Sequence, residues 1–447
     1  MTKLAEIAAM AALVLLATLP VPAGAQSIEK KTLDECLAIT LERHPDLKAA
    51  DSSADAGRAR SFQTLSAALP QVSASYDANR RHSSATARTG APVDGQSGSF
   101  SRTRTFNFYS TGVGLSQILF DFGQTLDAFR SAQATERSLR ADATTTRETV
   151  LRNAKQAYFD LLKAGRLLAV AEENVRQNRA HLDLAEGRFD VGVAPRFDVT
   201  QAQVQLANAD LALVTARNNV SVARETLGTA LGLDGPLDFD IVDTLDVHDV
   251  AIDEPQALGL AYEHRPEVAS QLLQEEAASR RVAFLEKNFL PNVTGNANYG
   301  YSGADYPLQE NWNFGASVHW PLFNGGLTTA QVGEARANLA TLKFEERSLR
   351  QRIALEVRQA TLNLGRASEA IRVSDKGLQQ ARENLELAEG RYKTGVGNII
   401  ELTDAQVSLV TAQANNVQAL SDYQTTIAAL EKATGRTFER PDGAPSH

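Results

Sequence analysis

Val293, Gly295, Ala297, Tyr299 and Tyr301 alternate with Thr294, Asn296, Asn298 and Gly300, and Trp312, Phe314, Ala316, Val318 and Trp320 alternate with Asn313, Gly315, Ser317 and His319. A period of two with one apolar and one polar face predicts two β-strands. They form a hairpin at about 292–320, closed by a Ser302–Asn311 loop. Strand signals at Gln71–Asn79 and Thr105–Leu119 predict an earlier hairpin at about 71–119, whose Ser-, Thr-, Gly- and Arg-rich connection His82–Ser101 reads as a long exposed loop. After each hairpin the period changes. Leu168, Ala171, Val175, Asn178, Leu182, Ala185 and Phe189 recur at steps of three and four, as do Ile371, Ser374, Leu378, Ala381, Leu385, Ala388 and Tyr392. A repeat of about 3.5 residues is the seam of packed long helices.

Proline placement agrees, because proline breaks helix interiors. None lies between Pro92 and Pro195, between Pro195 and Pro236, or between Pro321 and Pro441. Gly123–Phe189 and Gly326–Tyr392 can each run as one helix or two stacked ones. Short turns follow, Val191-Gly192-Val193 and Thr394-Gly395-Val396, and return helices are predicted at about Phe197–Leu231 and Ile399–Thr434. Further helical stretches, Leu33–Leu69 and Pro255–Leu290, precede the β-hairpins.

These elements come in pairs because the chain is one unit written twice. Leu69-Pro70-Gln71-Val72 returns as Leu290-Pro291-Asn292-Val293, 221 residues on (291 − 70). Leu119-Phe120-Asp121 returns as Leu322-Phe323-Asn324, and Ala185-Glu186-Gly187-Arg188-Phe189 as Ala388-Glu389-Gly390-Arg391-Tyr392, both 203 residues on (322 − 119). The first copy is therefore 18 residues longer (221 − 203) between Pro70 and Leu119. The organisation reads as a signal peptide at 1–25, a first repeat at 26–232 with its helical hairpin at about 123–231, an acidic bridge at 233–254, a second repeat at 255–435 with its helical hairpin at about 326–434, and a disordered tail at 436–447.

Composition narrows the function classes. The 447-residue chain carries a formal charge of −9, so it lacks the basic excess that nucleic-acid binding requires. Residues 1–25 resemble a secretory signal, with Lys3, an apolar run and Ala23-Gly24-Ala25 before Gln26. Cys36, the only cysteine, lies too far past that cut to carry a lipid anchor. No apolar run is long enough for a transmembrane helix, but a strand-built membrane passage stays open. The seven histidines show no HExxH or Cys/His spacing, and no nucleophile elbow or phosphate loop occurs. No enzyme, cofactor or metal centre is expected.

Two hairpins supply four strands, and a four-stranded sheet has open edges that neither water nor lipid favours. Three chains pooling their sheets would close a twelve-stranded barrel, with apolar rows toward lipid and polar rows lining a lumen. The runner-up is a periplasmic coiled-coil scaffold or adaptor without a barrel, which leaves two aromatic-bearing hairpins at matching positions unexplained. Near the helical turns, Glu401 and Asp404 share a helix face, and Asp198 is the repeat twin of Glu401. In a trimer they would form carboxylate rings favouring cations. The alternative is a helix-start acid stabilised by the dipole, worth roughly 0.3–1 kcal/mol. Gly192 and Gly395 suit any tight helix turn.

The duplication, Pro321-Leu322-Phe323-Asn324-Gly325-Gly326, the Gly-Arg-Tyr-x-x-Gly run from Gly390 to Gly395 and Asp404-Ala405-Gln406 together resemble the TolC-type outer-membrane efflux and secretion channels. The resemblance implies an α+β membrane protein: a homotrimer with a shared twelve-stranded β-barrel in the outer membrane of a Gram-negative bacterium and a periplasmic α-barrel of long antiparallel hairpins. It implies docking to a periplasmic adaptor protein and an inner-membrane transporter, through the turns Val191, Gly192, Val193, Thr394, Gly395 and Val396. Positions matching Glu401 and Asp404 ring the closed aperture in that family, and Asp198 and Tyr392 match two links of an iris-like gate. The family's arginine link falls on Gly397, with Arg196 the candidate to stand in, and Ile118 departs from the pattern at the place of Pro321.

Overall fold

The structure, a computed structural model, describes residues 30–84, 103–245, 250 and 252–438. The expected signal peptide, most of the first hairpin loop and residues 439–447 lie outside the described residues. Arg436 and Phe438, at the start of the expected tail, donate their backbone N–H groups to the carbonyl and the side chain of Glu431.

In chain order the elements are β1 (Lys30–Lys31), α1 (Leu33–Arg43), α2 (Pro45–Ser66), β2 (Gln71–Ser84), β3 (Thr103–Phe120), α3 (Gln124–Asp190), α4 (Arg196–Ala230), β4 (Asp240–Ile241), α5 (Glu254–His264), α6 (Pro266–Glu286), β5 (Asn292–Gly303), β6 (Gln309–His319), α7 (Leu327–Thr394) and α8 (Ile399–Thr434). The stretch from Leu33 is two helices rather than one. His44, at φ −60° and ψ 125°, is extended because the ring of Pro45 excludes the α conformation from the residue before it. Arg265 breaks α5 from α6 in the same way before Pro266. With no proline inside them, α3 and α7 are single helices of 67 and 68 residues. None of the described helices is long and apolar enough to cross a membrane.

The chain divides into two compact units. The first comprises residues 1–44, 153–247 and 367–425. Its larger core gathers Cys36 from α1, Ala154, Tyr158 and Leu162 from α3, Leu227 from α4, and Phe239 and Leu245 from the bridge. Tyr158 is fully buried and donates its hydroxyl to the carbonyl of Val242 at 2.6 Å. The bridge also carries β4, which pairs in parallel with β1. Two-residue strands are too short to leave a periodic trace, so this ladder is not visible in the hydrophobic pattern. A second core holds Leu385, Ala388 and Tyr392 of α7 with Ile399, Leu402, Ala405 and Leu409 of α8, and Leu184 of α3 packs against it.

The second unit comprises residues 45–152, 248–366 and 426–447. Val282 and Leu285 of α6 pack on Val332 and Ala335 of α7. The sheet has the order β2-β3-β5-β6, antiparallel throughout. Its register sets Val72, Leu115, Ala297 and Phe314 in one row and Ala74, Val113, Tyr299 and Trp312 in the next. The intervening rows, Ser73-Gly114-Asn298-Asn313 and Ser75-Gly112-Gly300-Asn311, face the other way. The strands outrun their hydrophobic signal: β2 continues to Ser84, where His82 pairs with Thr105, and the second loop shortens to the residues between Gly303 and Gln309. Backbone ladders persist where both faces become polar, which erases the alternation without ending the strand.

Candidate functional site

Both helical hairpins turn through the same motif. Gly192 and Gly395 have φ of 75° and 80°, a left-handed conformation open to glycine at no steric cost. Val193 N–H donates to Arg188 O and Gly192 N–H to Phe189 O, and Val396 N–H donates to Arg391 O and Gly395 N–H to Tyr392 O. These paired bonds satisfy the carbonyls of Arg188 and Phe189 in α3 and of Arg391 and Tyr392 in α7. They leave Val191, Val193 and Val396 exposed at the turns. Thr394, also exposed, donates its hydroxyl to Gly390 O at 3.1 Å.

The two turns are joined through side chains. Tyr392, 1% exposed, donates its hydroxyl to Oδ2 of Asp198 in the first turn of α4, at 3.1 Å. Burial first, then the Asp198 charge and hydrogen bond, push the Tyr392 phenol up to about 12. Arg188 of α3 donates from Nη1 to the carbonyls of Tyr392 at 2.8 Å and Lys393 at 3.2 Å. Its guanidinium carbon lies 4.9 Å from the centroid of the Tyr392 ring.

Glu401 and Asp404 are exposed, apart from the buried Tyr392–Asp198 pair. Glu401 donates its backbone N–H to Asn398 Oδ1 at 2.9 Å, and its carboxylate pairs with Arg391 Nε at 3.2 Å. Gly397 is closely surrounded: a Cβ there would lie 3.0 Å from Arg391 Cβ and 3.2 Å from Glu401 Oε2, so a side chain would require those neighbours to shift by a few tenths of an ångström. Arg196 is exposed at the start of α4. The cation beside Tyr392 is Arg188, which sequence reasoning missed. Its signal was the Gly-Arg-aromatic run present in both copies.

One helical layer further from the turns, Gln406 of α8 is buried and donates to Asn174 Oδ1 at 3.1 Å and Gln177 Oε1 at 2.6 Å on α3. His181 of α3 faces Gln406 together with Glu389 and Lys393 of α7. Burial lowers its imidazole below the ordinary 6.5, outweighing the opposing pull of Glu389 and Gln406. Among the described residues no group of three or more His, Cys, Asp or Glu side chains is placed to hold a metal ion.

The family described as outer membrane efflux protein matches residues 37–233 and 257–436. The outer membrane efflux protein BepC of Brucella suis biovar 1 is 26% identical over 379 residues, 83% of this chain and 78% of that protein. The outer membrane protein TolC of Vibrio cholerae is 24% identical over 419 residues, 89% of each. The outer membrane channel CmeC of Campylobacter jejuni superposes with a TM-score of 0.80 at 19% identity, covering 92% of this chain and 87% of that one. The duplicated pair of matched segments, the four-stranded antiparallel sheet and the two long helical hairpins all fall within this likeness. The chain belongs to the outer membrane efflux protein family, the TolC-type channels, and is an outer-membrane exit duct for efflux or secretion, with no enzymatic role.

Proposed function

We propose that three copies pool their sheets into a twelve-stranded barrel in the outer membrane of a Gram-negative bacterium, and that the assembled duct works with a periplasmic adaptor and an inner-membrane transporter. The observation that carries this reading is the sheet itself. Phe314 and Trp312 are 79% and 65% exposed on an apolar face whose neighbouring rows hold Val72, Leu115, Val113 and Tyr299. Water disfavours such a face, and lipid accepts it. The other face presents Ser, Asn and Gly to a lumen. The free edges, β2 and β6, run in opposite directions. A head-to-tail ring therefore continues the antiparallel pattern at each junction and leaves no edge.

In this reading residues 1–25 are an export signal, the mature chain carries no lipid, and 26–232 and 255–435 are the two repeats joined by the 233–254 bridge. The turns Val191–Val193 and Thr394–Val396 are the adaptor-facing end, Asp198 and Tyr392 are gate links, and Glu401 and Asp404 ring the aperture. Opening separates the hairpins by breaking a few polar links, with the energy supplied by the partner transporter. The test is expression of the full chain in a Gram-negative host, followed by membrane fractionation, unheated gels and planar-bilayer recording. Heat-modifiable trimers in the outer-membrane fraction that conduct ions are expected. A monomer in the soluble periplasmic fraction, as the scaffold alternative requires, overturns the reading.

A further inference from the structure

We propose that Arg188 is a positioning residue of the closed duct: from the first repeat it caps the C-terminus of α7 in the second, and so holds the two hairpin turns together independently of the Tyr392–Asp198 link. The inference rests on the duct reading above. The last carbonyls of a helix have no partner within it, and α7 ends at Thr394. Arg188 supplies two donors from one nitrogen to the carbonyls of Tyr392 and Lys393. A cation there also meets the negative end of the helix dipole, and the same guanidinium stacks on the Tyr392 ring. Its other terminal nitrogen lies 3.6 Å from where a Cβ on Gly395 would sit, so the group rests against the turn itself.

The repeat shows why this contact is more than generic packing. Arg188 and Arg391 are twins, as are Phe189 and Tyr392 and as are Asp198 and Glu401. In the second copy Arg391 stays local and pairs with Glu401. In the first copy the twin carboxylate, Asp198, is taken by the Tyr392 hydroxyl, and Arg188 reaches across to the other repeat. Phe189 has no hydroxyl to return the link and is 43% exposed. Two of the three cross-repeat bonds at the turns thus converge on Tyr392, Arg188 holding its backbone carbonyl and Asp198 its side chain, while the third runs from Arg188 to Lys393 O. A lysine would keep the charge and a nitrogen able to serve both carbonyls, but it would lose the planar guanidinium that lies over the Tyr392 ring.

The experiment uses the full-length protein in planar bilayers, comparing wild type with Arg188→Ala, Arg188→Lys and Tyr392→Phe. Arg188→Ala is expected to raise conductance severalfold with Tyr392 and Asp198 both present, Arg188→Lys to fall between it and wild type, and the Arg188→Ala/Tyr392→Phe double variant to exceed either single one. Conductance of Arg188→Ala at or below wild type overturns the proposal. A second readout is the distance between spin labels at Val193→Cys and Val396→Cys in detergent. Cys36 stays unlabelled because it is buried and its thiol is pushed up to about 11. Arg188→Ala broadens that distribution if Arg188 positions the turns, and an unchanged distribution overturns the proposal. Wild-type protein that forms no channels counts against the duct reading, and the label distance then decides the role of Arg188 by itself.

Discussion

The hydroxyl of Tyr392 donates to Oδ2 of Asp198 at 3.1 Å, and the two side chains are 1% and 9% exposed. One belongs to the second repeat and the other to the first, so this bond ties the halves of the duplicated chain together beside their turns. Their twins, Phe189 and Glu401, form no such bond, since Phe189 has no hydroxyl and Glu401 pairs with Arg391. The link is therefore one-sided, and a single substitution removes it.

Tyr392→Phe deletes that donor while keeping the ring under Arg188. A hydrogen bond to a charged group contributes about 1.5–3 kcal/mol, so the closed state should lose roughly tenfold to a hundredfold in population. Bilayer conductance checks this, and a value equal to wild type would refute the link. The phenol also sets an alkaline limit. Its folded value is raised from 10.0 to about 12, so its contribution is fully present below pH 10 and is lost as pH rises through about 12.

The parts of this fold that were legible in the sequence are those with a period. Seven seam positions in each copy and two alternating strand pairs were enough to show four strands and two helical hairpins. Features that depend on one bond or one dihedral were not. The break at His44 needed the rule for residues before proline, β1 and β4 are too short to alternate, and the ends of β2 and β6 are polar on both faces. At the turns, Asp198 and Tyr392 could be picked from the family resemblance. Arg188 left only the Gly-Arg-aromatic run shared by both copies, which does not name its partners, because those are backbone carbonyls. Gly397 was legible as a missing arginine, but only the structure shows how closely Arg391 and Glu401 pack around it.

His181 predicts an acid response. Its pKa is lowered below 6.5 chiefly by burial, with Lys393 adding to the shift and Glu389 and Gln406 opposing it. A depressed folded value means that the unfolded or opened chain binds the proton more readily. The contribution of His181 is thus present above pH 6.5 and is lost as pH falls through the folded value. Conductance should rise and turn-to-turn label distances should broaden as pH falls below 6.5. In His181→Gln this step should vanish. A step that persists in the variant would assign it to other groups.

Glu401 and Asp404 predict cation selectivity. Both are exposed, and Arg391 offsets part of the Glu401 charge. Ringed by three copies, they would favour cations at the aperture. Glu401→Gln with Asp404→Asn should shift the reversal potential in a salt gradient toward that of a non-selective pore. Asp404→Asn alone should account for more of the shift than Glu401→Gln alone, since Asp404 has no cation paired with it among the described ion pairs. A reversal potential unmoved by the double substitution would place the selectivity elsewhere.

The sheet offers a matched pair of glycines. Gly300 on β5 faces Gly112 on β3, and a Cβ on Gly300 would lie 2.3 Å from Thr111 O and 2.8 Å from Gly112 Cα. Those are backbone atoms, and they cannot retreat without breaking the β3–β5 ladder. Gly315 on β6 pairs with Asn296 on the same polar face, and a Cβ there meets nothing within 4 Å. Gly300→Ala should therefore cost about 2–3 kcal/mol and deplete heat-modifiable oligomers in outer-membrane extracts. Gly315→Ala should leave them at wild-type level, since the added methyl group meets open space. Because β3–β5 is the pairing that joins the two repeats' hairpins into one sheet, its failure splits the sheet into separate hairpins rather than merely loosening an edge. Equal oligomer yields from the two variants would show that the tight backbone approach at Gly300 does not govern assembly.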